Sequence, residues 1–123
     1  MRIGELAARA GVSVRSLRYY ENQNLLASER SSSGQRYYSE NAVDRVRLIQ
    51  QLYAAGLSSK AILELLPRVV NGRATPELLS GLSAERDRID DRIGDLVRTR
   101  DRLDAVITNA AANQRTGQRC RPR

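Results

Sequence analysis

Between Glu77 and Ala112 the chain has no proline, and Leu82, Ile89, Leu96, Leu103 and Ala110 recur every seven residues. Such spacing lines one edge of an α-helix and marks a coiled-coil seam. The companion column four residues further on reads Arg86, Ile93, Arg100 and Ile107, half of it charged, while acids and arginines interleave on the other faces. The Asp90-Asp91 pair on those faces is most simply a solvated surface. So polar a helix does not persist alone, because its own hydrogen bonds barely offset the cost of ordering it. It needs a second long helix, and the chain has none to offer. Residues 77–112 are therefore expected to dimerise with a second copy, with Leu82, Ile89, Ile93, Leu96, Leu103 and Ile107 in the seam.

The N-terminal part reads differently. Ile3, Leu6, Ala7 and Ala10 form one stripe of a short helix, Gly11 stops it, and Ser13 is suited to cap a second helix carrying Val14 and Leu17 inward through about Gln23. Two short helices around a Gly-containing turn make a helix-turn-helix. Arg15, Arg18, Tyr19 and Asn22 share the outward face of the second helix, the face such a motif offers to a major groove. Polar residues 28–36, with Gly34 at the tip, lead into Tyr37 and Tyr38 and read as a hairpin wing. Four of the five tyrosines sit beside arginines in these two places, which suggests rings packed inward and hydroxyls directed at phosphate; for Tyr20 and Tyr38 a core role is the competing reading. A third helix, Glu40 to Ala55 with Ser39 as its cap, ends at Gly56, and a fourth runs from Lys60 to Leu66. Ser58 and Lys60 at the start of that fourth helix form either a phosphate seat or a plain capped surface helix.

The domain boundaries that follow are a mainly α head over 1–70 with a small β-hairpin wing, a linker over 71–76, the long helix over 77–112 and a disordered basic tail over 113–123. Net charge is +7, and it is uneven. Six arginines against three glutamates give residues 1–38 a balance of +3, while the last ten residues add +4. An excess concentrated at the ends points to a polyanionic partner. All 21 basic residues except Lys60 are arginine, the side chain best shaped for bidentate contact with phosphate or a guanine edge, although a biased genome composition gives the same ratio.

Ile3-Gly4-Glu5-Leu6-Ala7, Gly11-Val12-Ser13, Leu17-Arg18-Tyr19-Tyr20-Glu21, Leu25-Leu26, Gly34-Gln35-Arg36-Tyr37-Tyr38 and Gly56-Leu57-Ser58 together resemble the MerR regulators, through about residue 70. The resemblance implies a winged helix-turn-helix head, an antiparallel coiled-coil homodimer, and binding to double-stranded promoter DNA whose elements lie too far apart. Regulators of this kind bend and untwist the spacer, so RNA polymerase is engaged only indirectly, through the promoter. DNA contacts carry over onto Arg15, Arg18, Tyr19, Arg36, Tyr38 and Lys60, with Ser13, Tyr20, Tyr37 and Ser58 completing the expected site. Asn24 stands where the family has glycine, and asparagine is among the few residues that accept the same left-handed backbone.

Other classes fit less well. There is no histidine, no Gly-rich phosphate loop, and one cysteine, Cys120, which lies among arginines near the end. That leaves no catalytic constellation. Neighbouring arginines favour the Cys120 thiolate, so a redox or alkylation sensor stands beside a passive cysteine. A DNA-architectural or excisionase-like protein without effector control is the remaining alternative. No apolar run is long enough to cross a bilayer and the first residues lack the apolar segment of a secretion signal, so a cytoplasmic location without membrane contact is expected. With one cysteine and no histidine per chain, no metal or other cofactor is expected. Elemental analysis of the purified protein should find no stoichiometric zinc or iron, and a chelator should leave DNA binding intact; metal at one equivalent overturns this expectation.

Overall fold

The computed structural model describes residues 1–117; Cys120 and the rest of 118–123 lie outside the described residues. The chain divides into two compact units, Met1–Leu82 and Ser83–Arg123. In the first, α1 (Ile3–Ala10) and α2 (Val14–Asn22) are joined at Gly11, whose φ of 73° lets its N–H reach back to Ala7 O. Ser13 caps α2, its Oγ accepting from Ser16 N at 3.0 Å. Asn24 adopts φ 61° just past the end of α2, the left-handed conformation its sequence position anticipates, and Leu25 N then donates to Tyr20 O at 2.9 Å.

The wing consists of β1 (Glu29–Arg30) and β2 (Arg36–Tyr37), antiparallel with Glu29 opposite Tyr37 and Arg30 opposite Arg36. Next come α3 (Asn41–Ala54) and α4 (Ser59–Leu65). Ser58 caps α4, accepting from Ala61 N at 3.1 Å. Ser39 does not cap α3 through its side chain; its carbonyl accepts from Ala42 N at 3.0 Å instead, and α3 starts without a side-chain cap. Leu6, Leu17, Leu25, Val46, Ile49, Ile62 and Leu66 are fully buried at the centre of the head. α1 rests on both α2 and α3, and α4 on α3. The inward stripe of α1 is as its spacing requires, with Leu6, Ala7 and Ala10 buried.

Residues 71–76 are not an irregular linker. After a 3₁₀ turn (Leu66–Arg68), β3 (Val69–Val70) and β4 (Arg73–Ala74) form a second antiparallel hairpin, with Val69 opposite Ala74 and Val70 opposite Arg73. Asn71 and Gly72 occupy its tip at φ 51° and 73°, the doubly left-handed conformation that Asn-Gly favours in two-residue hairpin loops. Two valines before an Asn-Gly pair carried that signal, but a ladder only two residues long has no alternation to read. The long helix, α5, spans Pro76–Thr116, so residues 113–116 are helical and do not belong to a tail. Pro76 opens it, and Thr75 Oγ1 accepts from Leu78 N at 3.1 Å.

The first turns of α5 belong to the head. Leu78 is buried, Gly81 is buried, and Leu82 packs against the core. Leu82, expected in the dimer seam, is half-buried against the core of its own head. At Gly81 a Cβ would lie 2.6 Å from Leu65 Cδ2 and against the Arg68 guanidinium, so only glycine lets these elements approach so closely. At Gly94, further along α5, a Cβ meets only the end of the Arg98 side chain, at 3.4 Å. Gly→Ala on a helix gains about 1 kcal/mol of helix propensity, while overpacking a core costs about 1–3 kcal/mol. Urea unfolding should show Gly81→Ala destabilising and Gly94→Ala neutral to stabilising. Equal effects at the two sites would mean that the Gly81 contact is not tight.

Candidate nucleic-acid interface

α2 is amphipathic in a way that determines what the head presents. Leu17 and Tyr20 point inward, leaving Arg15, Arg18, Tyr19 and Asn22 exposed. The Tyr20 ring is 8% exposed and stacks on Tyr53 of α3 at 5.9 Å with 20° between planes. Burial pushes the Tyr20 hydroxyl above its ordinary pKa, with Tyr53 adding to the shift. Tyr19, by contrast, is 49% exposed, its ring edge-on to Tyr20 at 6.3 Å and tilted against Tyr53 at 6.4 Å. The Tyr53 hydroxyl bonds Ser59 Oγ at the first turn of α4. One ring cluster thus connects α2, α3 and the start of α4.

The wing is held by its own hydrogen bonds. Ser31 N donates to Gln35 O at 2.8 Å, Arg30 Nη1 to Gly34 O at 3.1 Å, and Gln35 N to Ser31 Oγ at 3.2 Å. Tyr38 closes it against the helices. Its ring is 3% exposed, its hydroxyl donates to the Glu21 carboxylate of α2, and its backbone exchanges hydrogen bonds with Met1, N to O at 2.7 Å and amine to O at 2.9 Å. Arg2 Nη2 donates to Gln35 Oε1 at 2.6 Å, a second tie between the start of the chain and the wing. Tyr37 is half-buried, and the Glu29 carboxylate across the strand pair raises the pKa of its hydroxyl.

A cleft forms between α2 and the wing, lined among others by Arg2, Arg18, Asn22, Gln35 and Arg36. It brings together residues as far apart in the sequence as Arg2 and Tyr38. Among the described residues the only ion pair of the head is Arg9 to Glu40 at 2.8 Å, so Arg2, Arg15, Arg18 and Arg36 are without an acidic partner. Ser13 and Ser58 are exposed but already cap their helices, and Lys60 is exposed in the first turn of α4. The rings of Tyr20 and Tyr38 are buried in the core, and the Tyr38 hydroxyl is taken by Glu21. Arg2, Gln35 and the Tyr53 ring were not among the expected site residues. Tyr53 falls on the periodic face of the third helix, but no sequence signal marks Arg2 and Gln35, because only the folded backbone brings Met1 beside Tyr38. Among the described residues no cluster of three or more His, Cys, Asp or Glu is arranged to hold a metal ion, and no helix is long and apolar enough to cross a membrane.

A capped helix-turn-helix, an adjoining hairpin wing and arginines left unpaired on the surface between them define a DNA-binding head. Comparison with known proteins agrees: the model of the MerR HTH family regulatory proteins matches residues 1–69, and that of the MerR DNA-binding region matches residues 43–106. The chain belongs to the MerR family of DNA-binding transcription regulators. It is 38% identical over 109 residues to the nodulation protein NolA of Bradyrhizobium sp. (strain NC92), covering 88% of this chain and 44% of NolA. It therefore spans less than half the length of that relative. Its structure resembles the transcription regulator PbrR691 of Ralstonia metallidurans CH34, in complex with lead(II), with a TM-score of 0.66 and 25% identity, over 89% of this chain and 86% of that one. The fold is also shared with HiNmlR, a MerR family regulator lacking the sensor domain, bound to promoter DNA (TM-score 0.57, 24% identity, 96% of this chain and 91% of that one).

Arg18 and Lys60 should differ in what they read. A bidentate arginine on a guanine edge contributes about 1–3 kcal/mol of discrimination, whereas a lysine on phosphate adds sequence-independent affinity. In binding titrations across salt concentrations, Arg18→Ala should weaken operator binding and spare random DNA. Lys60→Ala should weaken both and reduce the salt slope by about 1. Full preference for the operator in Arg18→Ala would show that α2 does not read bases.

Proposed function

We propose that the chain works as an antiparallel homodimer on a palindromic operator within an overlong promoter spacer, raising transcription by bending and untwisting the DNA. The observation that carries this reading is the apolar seam of α5: Ile89, Ile93, Leu96, Leu103 and Ile107 are 40–63% exposed on a helix otherwise coated with charge. Val97 and Val106 widen the apolar edge, at 38% and 57% exposed. Covering five such residues on each of two copies, each already about half buried, gains on the order of 7–15 kcal/mol at about 1.5–3 kcal/mol per fully buried side chain. That is comparable to the roughly 4–15 kcal/mol cost of association, so the seam suffices for a dimer with little to spare. Arg86 and Arg100 within the seam limit its strength.

The rest of the reading follows from stiffness. From Ile89 to Ile107 the helix advances about 27 Å at about 1.5 Å per residue, and a paired helix of that length is a rigid spacer. Two heads at a fixed separation meet successive major grooves only if the intervening duplex adjusts, which takes about 1–6 kcal/mol from the contact energy. Arg15, Arg18 and Tyr19 on α2, Arg36 on the wing and Lys60 on α4 are the groups proposed to supply it, with the Tyr37 hydroxyl and the backbone N–H groups beside Ser13 and Ser58 adding phosphate contacts. Tyr20 and Tyr38 support these contacts from beneath.

Two measurements test the proposal. Leu96→Asp places an unpaired charge in the seam and should shift the protein from dimer to monomer in light scattering at micromolar concentration, whereas a monomeric wild type refutes the dimer. Shortening the native promoter spacer by one or two base pairs should make transcription independent of the protein. A target promoter of ordinary spacing, or a shortened one that still needs the protein, removes the untwisting mechanism and leaves a plain repressor or an architectural role.

A further inference from the structure

A half-open cavity of about 570 Å³ lies on the flank of α3, within the first unit and apart from the cleft between α2 and the wing. Its floor is apolar, formed by Leu26, Leu48, Leu66, Val69 and Leu78, of which Leu48 and Val69 remain half-buried. The β3–β4 hairpin supplies one wall through Asn71, Gly72 and Ala74. One cation borders it. Arg45 is half-buried, its Nε donates to Leu25 O at 2.8 Å, and among the described residues its guanidinium forms no ion pair and no further hydrogen bond. Desolvation lowers its pKa, as burial does for a cation without a counter-ion. Asp44 also borders the cavity but is exposed in the first turn of α3, where the positive end of the helix dipole favours a carboxylate.

We propose that this cavity binds a small monocarboxylate with an aromatic or branched aliphatic body, the body on the leucine floor and the carboxylate on the two terminal nitrogens of Arg45. The volume falls within the roughly 300–1,000 Å³ of small-molecule sites, and an apolar pocket with one charged group to orient the ligand is their usual composition. The planar guanidinium fork matches a carboxylate with two parallel hydrogen bonds. The cavity is also bordered by Asn24 and Ser39, which follow α2 and the wing. A ligand that binds one arrangement of these flanking elements more tightly than another biases the DNA-binding cleft, and linkage then makes DNA and ligand change each other's affinity. The coupling rests on the DNA-binding reading above; the binding site does not.

Binding is therefore tested on the full chain without DNA. Titration with phenylacetate and with 4-methylpentanoate, followed by methyl NMR, should give saturable shifts at Leu26, Leu48 and Val69. Phenylacetamide, which keeps the body and loses the charge, should bind about tenfold more weakly or worse, and Arg45→Gln should lower phenylacetate affinity by a similar factor. Ala74→Trp, at an exposed wall position, fills the cavity while keeping Arg45; it should abolish the shifts without changing the melting temperature, and it decides the matter if Arg45→Gln does not fold. The proposal is overturned if neither acid gives saturable shifts, if phenylacetamide or phenethylamine binds as tightly, if a folded Arg45→Gln binds as tightly as wild type, or if binding survives Ala74→Trp. Shifts at the same methyls that track protein concentration and exclude the acids overturn it in favour of a second copy as the occupant.

Discussion

The orientation of α2 is set by two residues. Leu17 and Tyr20, three positions apart, with Val14 packed beside them, form the inward line of a helix only nine residues long, and Arg15, Arg18, Tyr19 and Asn22 face out. Burial of the leucine provides most of the energy, about 1.5–3 kcal/mol, while the stack of Tyr20 on Tyr53 adds about 0.5–1.5 kcal/mol and a preferred direction. The direction matters more for function. Because the Tyr53 hydroxyl also reaches Ser59, the angle between α2 and α3 and the start of α4 are fixed by the same rings. Arg15 and Arg18 owe their common outward aspect to this arrangement and not to contacts of their own.

The wing depends on the same helix from the other side. Glu21 lies one position beyond Tyr20, and its carboxylate receives the Tyr38 hydroxyl, so the helix that presents Arg18 also anchors the strand that presents Arg36. A carboxylate at the centre of a cationic cleft opposes anion binding by Coulomb repulsion; tying it to a hydroxyl leaves its charge in place but gives it a structural task. The start of the chain adds a third strap through Met1 and Arg2. The cleft is therefore assembled from three segments, and among the described residues its Arg18 and Arg36 form no ion pair.

How much of this was legible in the sequence depended on range. Helices whose stripes repeat locally, such as Leu6, Ala7 and Ala10 or Val14 and Leu17, stand within a residue or two of their expected limits, and the left-handed Asn24 is what the resemblance to the MerR regulators implied. The β3–β4 hairpin was missed because two-residue strands carry no periodicity, and the packing of Leu82 on the head is not readable because a heptad register does not say where a head ends. The outward arginines were readable from helical geometry alone. Arg2 and Gln35 were not, since their hydrogen bond joins positions 33 apart and arises only after α1 and the wing have packed. Nor does periodicity reveal a cavity: Arg45 falls between the buried Val43 and Val46 of α3, and the hairpin that walls it comes from a segment that reads as a loop.

The tyrosine cluster has a spectroscopic consequence. The chain contains neither tryptophan nor phenylalanine, and all five tyrosines fall within Met1–Leu82. Near-ultraviolet circular dichroism and tyrosine emission consequently report on the head alone. The 41-residue α5, in contrast, contributes more than any other element to the far-ultraviolet helix signal. Two wavelengths thus observe two parts of one chain, and a change that unpicks the rings around Tyr20 without touching the long helix leaves one spectrum altered and the other still.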